Sequence, residues 1–174
     1  VFDTSAKPPQ LVGSFWDLTT AQSPEPRATF CGPSAGSEPE VDAVVKLIAK
    51  GDFKCLVSYH NFGQTILFPD DASADADVQF LGKGMEALFA DQKATYSYQS
   101  GSGLYPTSGD TMEWTYRVHK LPNYTIEVSP TEADAKKNKW DFNKLPPTEI
   151  IPTFNANLPA ALAAINCSVS GLKP

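Results

Sequence analysis

The sequence has few of the residues that mark several common classes of protein. Its 174 residues include two histidines and three cysteines, and no two cysteines share Cys-x-x-Cys spacing, which argues against a zinc ribbon or a thioredoxin motif. Lysine and arginine number 14 against 20 acidic residues, giving a net charge of −6. The chain therefore lacks the cationic face that non-specific nucleic-acid binding requires. No apolar run approaches the length of a membrane span, so we expect neither a nucleic acid nor a membrane as a partner.

The amino terminus, the cysteines and two glycosylation-type triplets give information about processing and cellular location. Val1 is not followed by the basic and apolar regions of a signal peptide, and we interpret this terminus as a cut end. The odd cysteine count leaves one thiol free or paired outside the chain, and Cys55 is expected to be a buried thiol. Glycosylation-type triplets at Asn123 and Asn166, together with 15 prolines, favour a secreted or extracytoplasmic protein.

The composition, 41% hydrophobic and 20% charged, is typical of one globular domain. Residues 1–35 are rich in Pro and Ser and are interpreted as a loop leading into a domain formed by residues 36–174. The predicted elements are a helix from the Ser37–Glu40 capping box to Gly51, strands at 53–59, 64–68 and 123–128, helices at 79–92, 108–117 and 151–165, and loops at 96–103 and 129–147. Ser108 is the predicted cap of the third helix, and Pro159 is expected to bend the last. Strands alternating with helices indicate an α/β sheet with helices on both faces.

His60 stands at the end of the most strand-like run in the chain. Open α/β sheets bind ligands at the carboxyl ends of their strands, so His60 is a candidate metal ligand or general base. The alternative is a hydrogen-bonded structural histidine. Glu127 lies inside a predicted strand and is a candidate general base if it faces a cleft, or else a surface residue of an edge strand.

Two further residues have weaker functional interpretations. Tyr105 follows the Gly-rich loop Ser100–Gly103 and could close over a ligand, or it is an ordinary surface aromatic residue. His119, between Val118 and Lys120, is expected to lie on the surface.

Five segments occur in an order that resembles one protein family. They are Cys31-Gly-Pro-Ser-Ala-Gly-Ser-Glu-Pro-Glu40, Val57-Ser-Tyr-His-Asn-Phe-Gly-Gln-Thr-Ile-Leu-Phe-Pro69, Tyr105-Pro-Thr-Ser-Gly-Asp-Thr-Met-Glu-Trp114, Tyr124-Thr-Ile-Glu-Val128 and Leu145-Pro-Pro-Thr-Glu-Ile-Ile-Pro152. Over about residues 28–165 the chain resembles the zinc metallocarboxypeptidases of the pancreatic A/B type. The resemblance implies a mixed, carboxypeptidase-like sheet with helices on both faces. It also implies a zinc cofactor and peptide or protein C-termini as substrates.

The resemblance assigns roles to residues of this sequence. His60 matches the third zinc ligand, and Glu127 matches the general base that activates the zinc-bound water and then protonates the leaving amine. Tyr105 matches the mobile tyrosine that closes over the substrate. Met112 matches the floor of the pocket for the terminal side chain and implies a preference for hydrophobic residues, although the nearby Asp110 counts against it.

The chain also departs from the family pattern. Phe62 stands where the family often has a tyrosine near the substrate backbone, so that hydrogen bond would be lost. The family takes its other zinc ligands from His-x-x-Glu, yet neither His60 nor His119 begins such a motif. Its substrate carboxylate is held by an Asn-Arg pair, and neither Arg27 nor Arg117 follows an asparagine.

These departures predict that residues 36–174 form the C-terminal part of a carboxypeptidase-like catalytic domain, and that the sheet is incomplete. One protein ligand cannot hold a catalytic zinc, which normally takes three. We therefore expect the chain to be inactive alone and to need an N-terminal half of the same enzyme. The alternatives are a non-catalytic peptide-binding or structural remnant of the fold and an unrelated α/β binding domain.

Overall fold

The computed structural model describes residues 2–3, 10–11, 36–104, 110–140 and 145–170. Its helices and strands are β1 (Phe2–Asp3), β2 (Gln10–Leu11), α1 (Pro39–Lys50), β3 (Leu56–Asn61), β4 (Thr65–Phe68), α2 (Ala76–Asp91), β5 (Ser97–Ser100), α3 (Thr111–His119), β6 (Asn123–Val128), α4 (Glu132–Asn138) and α5 (Ile150–Ser170). Short 3-10 turns cover Asp70–Ala72, Gly101–Gly103 and Pro147–Glu149. None of the helices in these ranges combines the length and apolar character that crossing a bilayer needs.

Four strands form one mixed sheet in the order β3-β6-β4-β5. β6 is parallel to β3 and antiparallel to β4, and β4 is parallel to β5. β1 and β2 pair with each other, antiparallel. Because β6 has a neighbour on each side, both of its edges are hydrogen-bonded, whereas β3 and β5 are the outer strands of the sheet as described.

The side chains of β6 alternate between two differently covered faces of the sheet. Tyr124 and Ile126 are fully buried on one face, where the Tyr124 hydroxyl donates to the carbonyl of Val78 in α2 at 2.7 Å. Helix α5 packs against α2 on this face. On the other face, the Asn123 amide donates to the Thr115 hydroxyl in α3 at 2.7 Å. Helices on both faces of a mixed α/β sheet confirm the predicted fold class.

A carboxylate joins the start of α2 to α3. Asp75 caps α2 by accepting hydrogen bonds from the backbone N–H groups of Asp77 at 3.0 Å and Val78 at 3.1 Å. Its other oxygen accepts the Tyr116 hydroxyl of α3 at 2.8 Å. Partial burial acts to raise the pKa of Asp75, but these three hydrogen bonds outweigh it, so the pKa lies below its usual value.

Two predicted loops contain regular structure. Residues 96–103 include β5, because Tyr98 packs on Phe68 of β4 with ring centroids 4.6 Å apart while the two strands pair. Residues 129–147 include α4, which the Thr131 side chain caps by accepting from the Asp134 N–H. Acidic residues at its start and lysines at its end suit the helix dipole.

Several predicted boundaries also change. β3 begins at Leu56, whose N–H donates to the Pro122 carbonyl beside β6, and it includes His60 instead of ending before it. The prediction of a capping box at Ser37–Glu40 is wrong. The Ser37 hydroxyl donates to the Glu38 carboxylate, and no side chain caps α1. Asp110, not Ser108, caps α3, and Ser108 lies outside the described residues.

Two further predictions concern single residues, and the predicted bend at Pro159 stays a prediction. Pro159 lies within α5, which continues to Ser170. Cys55 is half-buried next to the core, and that burial raises the pKa of its thiol to about 12.

We predict that Asp75→Ala lowers the free energy of unfolding by about 1–2 kcal/mol at pH 7, because it removes a helix cap and the acceptor of the Tyr116 hydroxyl. A carboxylate whose folded pKa is depressed stabilises the fold above its unfolded pKa, and this stability is lost as pH falls through the folded pKa. The difference in the free energy of unfolding between the parent protein and Asp75→Ala should therefore shrink below pH about 4.

Urea unfolding followed by circular dichroism at pH 7 and at pH 3 would measure this difference. Asp91→Ala, at the exposed end of α2, is the matched control and should stay within about 0.5 kcal/mol of the parent protein. Equal unfolding midpoints for the parent and Asp75→Ala at pH 7 would contradict the assigned role.

Candidate active site

A cavity of about 240 Å³ lies on the sheet face opposite α2 and α5. Its walls come from β3, β4 and β6, from the turn after β5 and from the start of α3; the lining residues are Ser58, His60, Leu67, Gly101, Leu104, Asp110, Thr111, Met112, Thr125 and Glu127. Four of the six site residues predicted from the sequence are in this set. The cavity thus collects residues from five segments that are distant in the chain.

His60 and Glu127 are direct neighbours across two parallel strands. They occupy the same register position of β3 and β6, so both side chains project from one face of the sheet. The imidazole is exposed, and its Nε2 lies 3.1 Å from the Ser58 hydroxyl two residues earlier. His60 therefore offers a ring nitrogen to the cavity from the outer strand of the sheet.

Glu127 belongs to the central strand, so the interpretation of it as an edge-strand surface residue is wrong. It has His60 on one side and Thr65 of β4 on the other. Burial raises the pKa of the Glu127 carboxyl, and the nearby His60 partly opposes that rise. Gly63 approaches closely, because a Cβ at that position would lie 3.4 Å from the Glu127 Cβ. The result is a partly desolvated carboxylate beside a ring nitrogen, which can accept and return a proton.

Met112 and Asp110 lie at the start of α3 and have different surroundings. Met112 is 5% exposed, and a Cβ at Gly101 would come within 2.7 Å of its terminal methyl group. The glycine therefore leaves the space that the Met112 side chain fills. Asp110 accepts a hydrogen bond from the Glu113 N–H at 2.8 Å, so one of its oxygens serves as the helix cap.

Two other predicted residues, Phe62 and His119, are not among the lining residues of this cavity. Phe62 is half-buried just beyond β3 and is not among the lining residues. Tyr105 lies outside the described residues. His119 is half-buried and not on the surface as predicted; burial lowers its pKa, and its ring meets Trp114 edge-on with centroids 5.2 Å apart.

Sequence reasoning missed several lining residues, although a signal for some of them was present. Ser58 and Thr125 lie two residues before His60 and Glu127. Because successive side chains of a strand point to opposite faces of the sheet, each lies on the same face as the residue two positions later, and all four line the cavity. Leu67 of β4 could not be assigned in this way, because its face depends on the antiparallel pairing with β6.

The cavity contains some of the side-chain types that a zinc site needs. Neutral imidazole and carboxylate are both zinc ligands, and a catalytic site normally has three protein ligands. Within the part of the chain that the structure describes, no group of three or more His, Cys, Asp or Glu side chains could hold a metal. His60 and Glu127 are two side chains of suitable chemistry, fewer than the three protein ligands that a catalytic zinc site normally has.

Comparisons with known proteins identify relatives of this chain. The family model for zinc carboxypeptidases matches residues 13–160. Human carboxypeptidase A5 is 35% identical over 133 residues, covering 72% of this chain and 29% of the relative. The zinc carboxypeptidase of Simulium vittatum is 29% identical over 136 residues, covering 72% of this chain and 42% of the relative. The chain thus spans well under half the length of these relatives.

Solved structures of carboxypeptidase type share the fold of this chain. Thrombin-activatable fibrinolysis inhibitor superposes with a TM-score of 0.67 at 27% identity, over 82% of this chain and 36% of that one. Carboxypeptidase A from Helicoverpa armigera has the same TM-score at 19% identity, over 82% of this chain and 37% of that one, and supports the fold alone. The carboxypeptidase-like sheet expected from the sequence is confirmed, and this chain belongs to the zinc carboxypeptidase family.

Proposed function

We propose that this chain supplies part of the active site of a zinc-dependent exopeptidase that removes C-terminal residues from peptides or proteins. The observation that carries the proposal is the cross-strand pair of His60 and Glu127, which faces one cavity together with Met112. A metal-ligand side chain, a proton acceptor and an apolar surface are the parts that such a hydrolase needs within one site.

Each of the two polar groups has a distinct role in the proposal. His60 holds zinc as one of its protein ligands, and the bound zinc supplies Lewis-acid activation of water and of the scissile carbonyl. Glu127 takes a proton from the attacking water and returns it to the leaving amine nitrogen. Its place on β6, a strand paired on both sides, restrains the backbone that carries the carboxylate and keeps the carboxylate aligned for both transfers.

The cavity also suits a hydrophobic C-terminal side chain. Met112, Leu67 and Leu104 give it an apolar wall. Asp110 contributes the one other carboxylate of the lining, and its role as a helix cap directs one oxygen to the backbone of α3. We further propose that Tyr105 closes over the substrate and that Phe62 lies near the substrate backbone without donating a hydrogen bond.

The remaining metal ligands and the group that binds the substrate carboxylate are proposed to come from an N-terminal half of the same enzyme. Two observations support this division. His60 is the single histidine in the cavity lining, and the chain covers 29–42% of the length of the relatives compared above. The isolated chain is therefore proposed to be inactive.

A second candidate function is a non-catalytic peptide-binding or structural remnant of the fold. It is favoured by the absence of a three-ligand metal cluster among the described residues. It differs from the first proposal in one respect that can be measured, because peptide binding would then not depend on Glu127 or on zinc.

We also propose an extracytoplasmic or secreted location. Of the two glycosylation-type triplets, the one at Asn123 is inaccessible, since this side chain is 1% exposed and donates to Thr115. Asn166 is exposed on α5, so it is the position at which a glycan could be attached and looked for.

We predict that Glu127→Gln lowers kcat by about 10²–10⁴-fold with little change in KM, because it removes proton transfer and keeps the size of the side chain. The assay combines this chain with the N-terminal part of human carboxypeptidase A5 and zinc, and it measures release of Phe or Leu from peptides with a free C-terminus. Amidated peptides should not be cleaved.

Glu132→Gln, on the exposed face of α4, is the matched control and should leave kcat unchanged. Undiminished turnover by Glu127→Gln would contradict the catalytic assignment. Peptide binding that is equally tight in Glu127→Gln and in a chelator, without turnover, would favour the non-catalytic remnant.

We predict that the isolated chain retains much less than one zinc per molecule after dialysis, and that the combined assembly retains one. His60→Gln should abolish retention by the assembly, because it removes one of three protein ligands. Elemental analysis with intact mass spectrometry measures both. His119→Gln is the matched control and should keep the zinc, whereas stoichiometric zinc on the isolated chain would contradict the shared site.

A further inference from the structure

Two free cysteines pack against the same part of the hydrophobic core. Cys55 lies directly before β3, and Cys167 lies near the end of α5. Both side chains are half-buried, and both pack against the core cluster that contains Tyr124 and Ala160. The proposed hydrolysis uses neither thiol, so this pair of nucleophilic side chains has no role in the chemistry of the cavity.

The course of α5 brings Cys167 toward Cys55. Near the carboxyl end of β3, Tyr59 lines a groove of about 490 Å³ together with Leu158 from the first half of α5. Farther along the helix, Ala164 is still buried, and Cys167 follows it by three residues on the same helix face. The helix therefore runs along the sheet from the carboxyl end of β3 toward its amino end, where Cys55 is located.

The strand and the helix reach the two thiols over matching distances. Tyr59 to Cys55 is four residues of extended chain, or about 13 Å, and both side chains lie on the same face of the sheet. Leu158 to Cys167 is nine residues of helix, or about 14 Å. Because both paths start at one groove, the two thiols lie at the same level of the sheet and on the same side of it.

The pKa values agree with this placement. Burial raises the pKa of the Cys55 thiol to about 12, and the Cys167 thiol adds to the rise. Burial also raises the pKa of the Tyr124 hydroxyl, and Cys55 and Cys167 are both among the groups that raise it further. Charge interactions weaken with distance, so the two thiols share one neighbourhood around Tyr124. Cys55 is held there as the protonated thiol, whose Sγ donates to the Leu56 carbonyl at 3.7 Å.

We propose that Cys55 and Cys167 form a reversible disulfide bond that joins the start of β3 to the end of α5. The oxidant is a small-molecule disulfide such as oxidised glutathione. The Cys167 thiolate attacks one sulfur of the oxidant, which forms a mixed disulfide and releases one small thiol. Cys55 then gives up its proton and attacks the Cys167 sulfur, which releases the second small thiol. The protein loses two electrons and two protons, and the oxidant gains both.

The order of the two attacks follows from the chemistry of thiols. A thiolate is the attacking species, and a thiol with a raised pKa supplies little of it at neutral pH. Cys55 therefore reacts second, when the mixed disulfide on Cys167 is held beside it by the fold. The proposal does not depend on zinc or on peptide hydrolysis, and it leaves Cys31, which lies outside the described residues, as the odd cysteine.

The bond would add a covalent link to the strand that carries His60. Among the described residues, β3 pairs with one strand, β6. A disulfide to α5 restrains the start of β3 from the face of the sheet opposite the cavity. It also closes a long loop, which restricts the unfolded chain and stabilises the folded one.

The test treats the folded chain with oxidised glutathione in EDTA, so that no metal ion occupies the thiols, and maps tryptic peptides by mass spectrometry. Lysines separate the three cysteines in the sequence, so trypsin places them in three peptides. We expect the Cys55 and Cys167 peptides to be linked in most of the protein, with a mass two hydrogen atoms below their sum. In concentrated urea we expect the Cys31–Cys55 link to dominate, because the shorter loop closes at a lower entropic cost.

Two variants connect the link with stability. The thermal midpoint of the oxidised parent chain should lie about 5–10 °C above that of the reduced chain. Cys167→Ser should remove both the link and the effect of oxidant on the midpoint. Cys31→Ser is the matched control and should keep both. The peptide map of the parent chain decides the proposal even where Cys167→Ser fails to fold.

Three results would overturn the proposal. The first is a folded chain in which Cys31 is linked to Cys55 or Cys167. The second is a folded chain that carries glutathione on its cysteines and has no internal link. The third is a thermal midpoint that is equal in the oxidised and reduced parent chains.

Discussion

The pairing of β6 with strands on both sides is the constraint on which the rest of this structure depends. Because both edges of the strand are hydrogen-bonded, its register determines which face of the sheet each side chain lies on. Tyr124 and Ile126 enter the core under α2, and Glu127 faces the cavity on the opposite side of the sheet. A slip of one residue would bury the carboxylate and expose the tyrosine. The strand pairing of β6 therefore both stabilises the core and orients Glu127 toward the cavity.

The wall of the cavity depends on a second, more local set of contacts. Asp75 caps α2 and accepts the Tyr116 hydroxyl, while Asn123 donates to Thr115. Together they fix α3 against α2 and β6, and α3 carries Met112 at its first turn. The position of Met112 relative to Glu127 is thus set by polar groups that do not themselves line the cavity.

The sequence alone predicted the parts of this arrangement that have local signals. The strand around Glu127 and the helices α1, α2 and α5 follow from periodicity and flanking residues. It did not predict β5, because a strand containing Ser97 and Gln99 gains its order from pairing with β4. Nor could it predict that β6 is central, since strand order is a long-range property; for that reason Glu127 could be interpreted as an edge residue. The family resemblance supplied what periodicity could not, by linking His60 to Glu127.

The proposed role of His60 as a metal ligand depends on its position on β3, an outer strand of the sheet as described. Glu127 already occupies the cross-strand position on one side of His60. In the proposed function, the further metal ligands would approach His60 from the side away from Glu127.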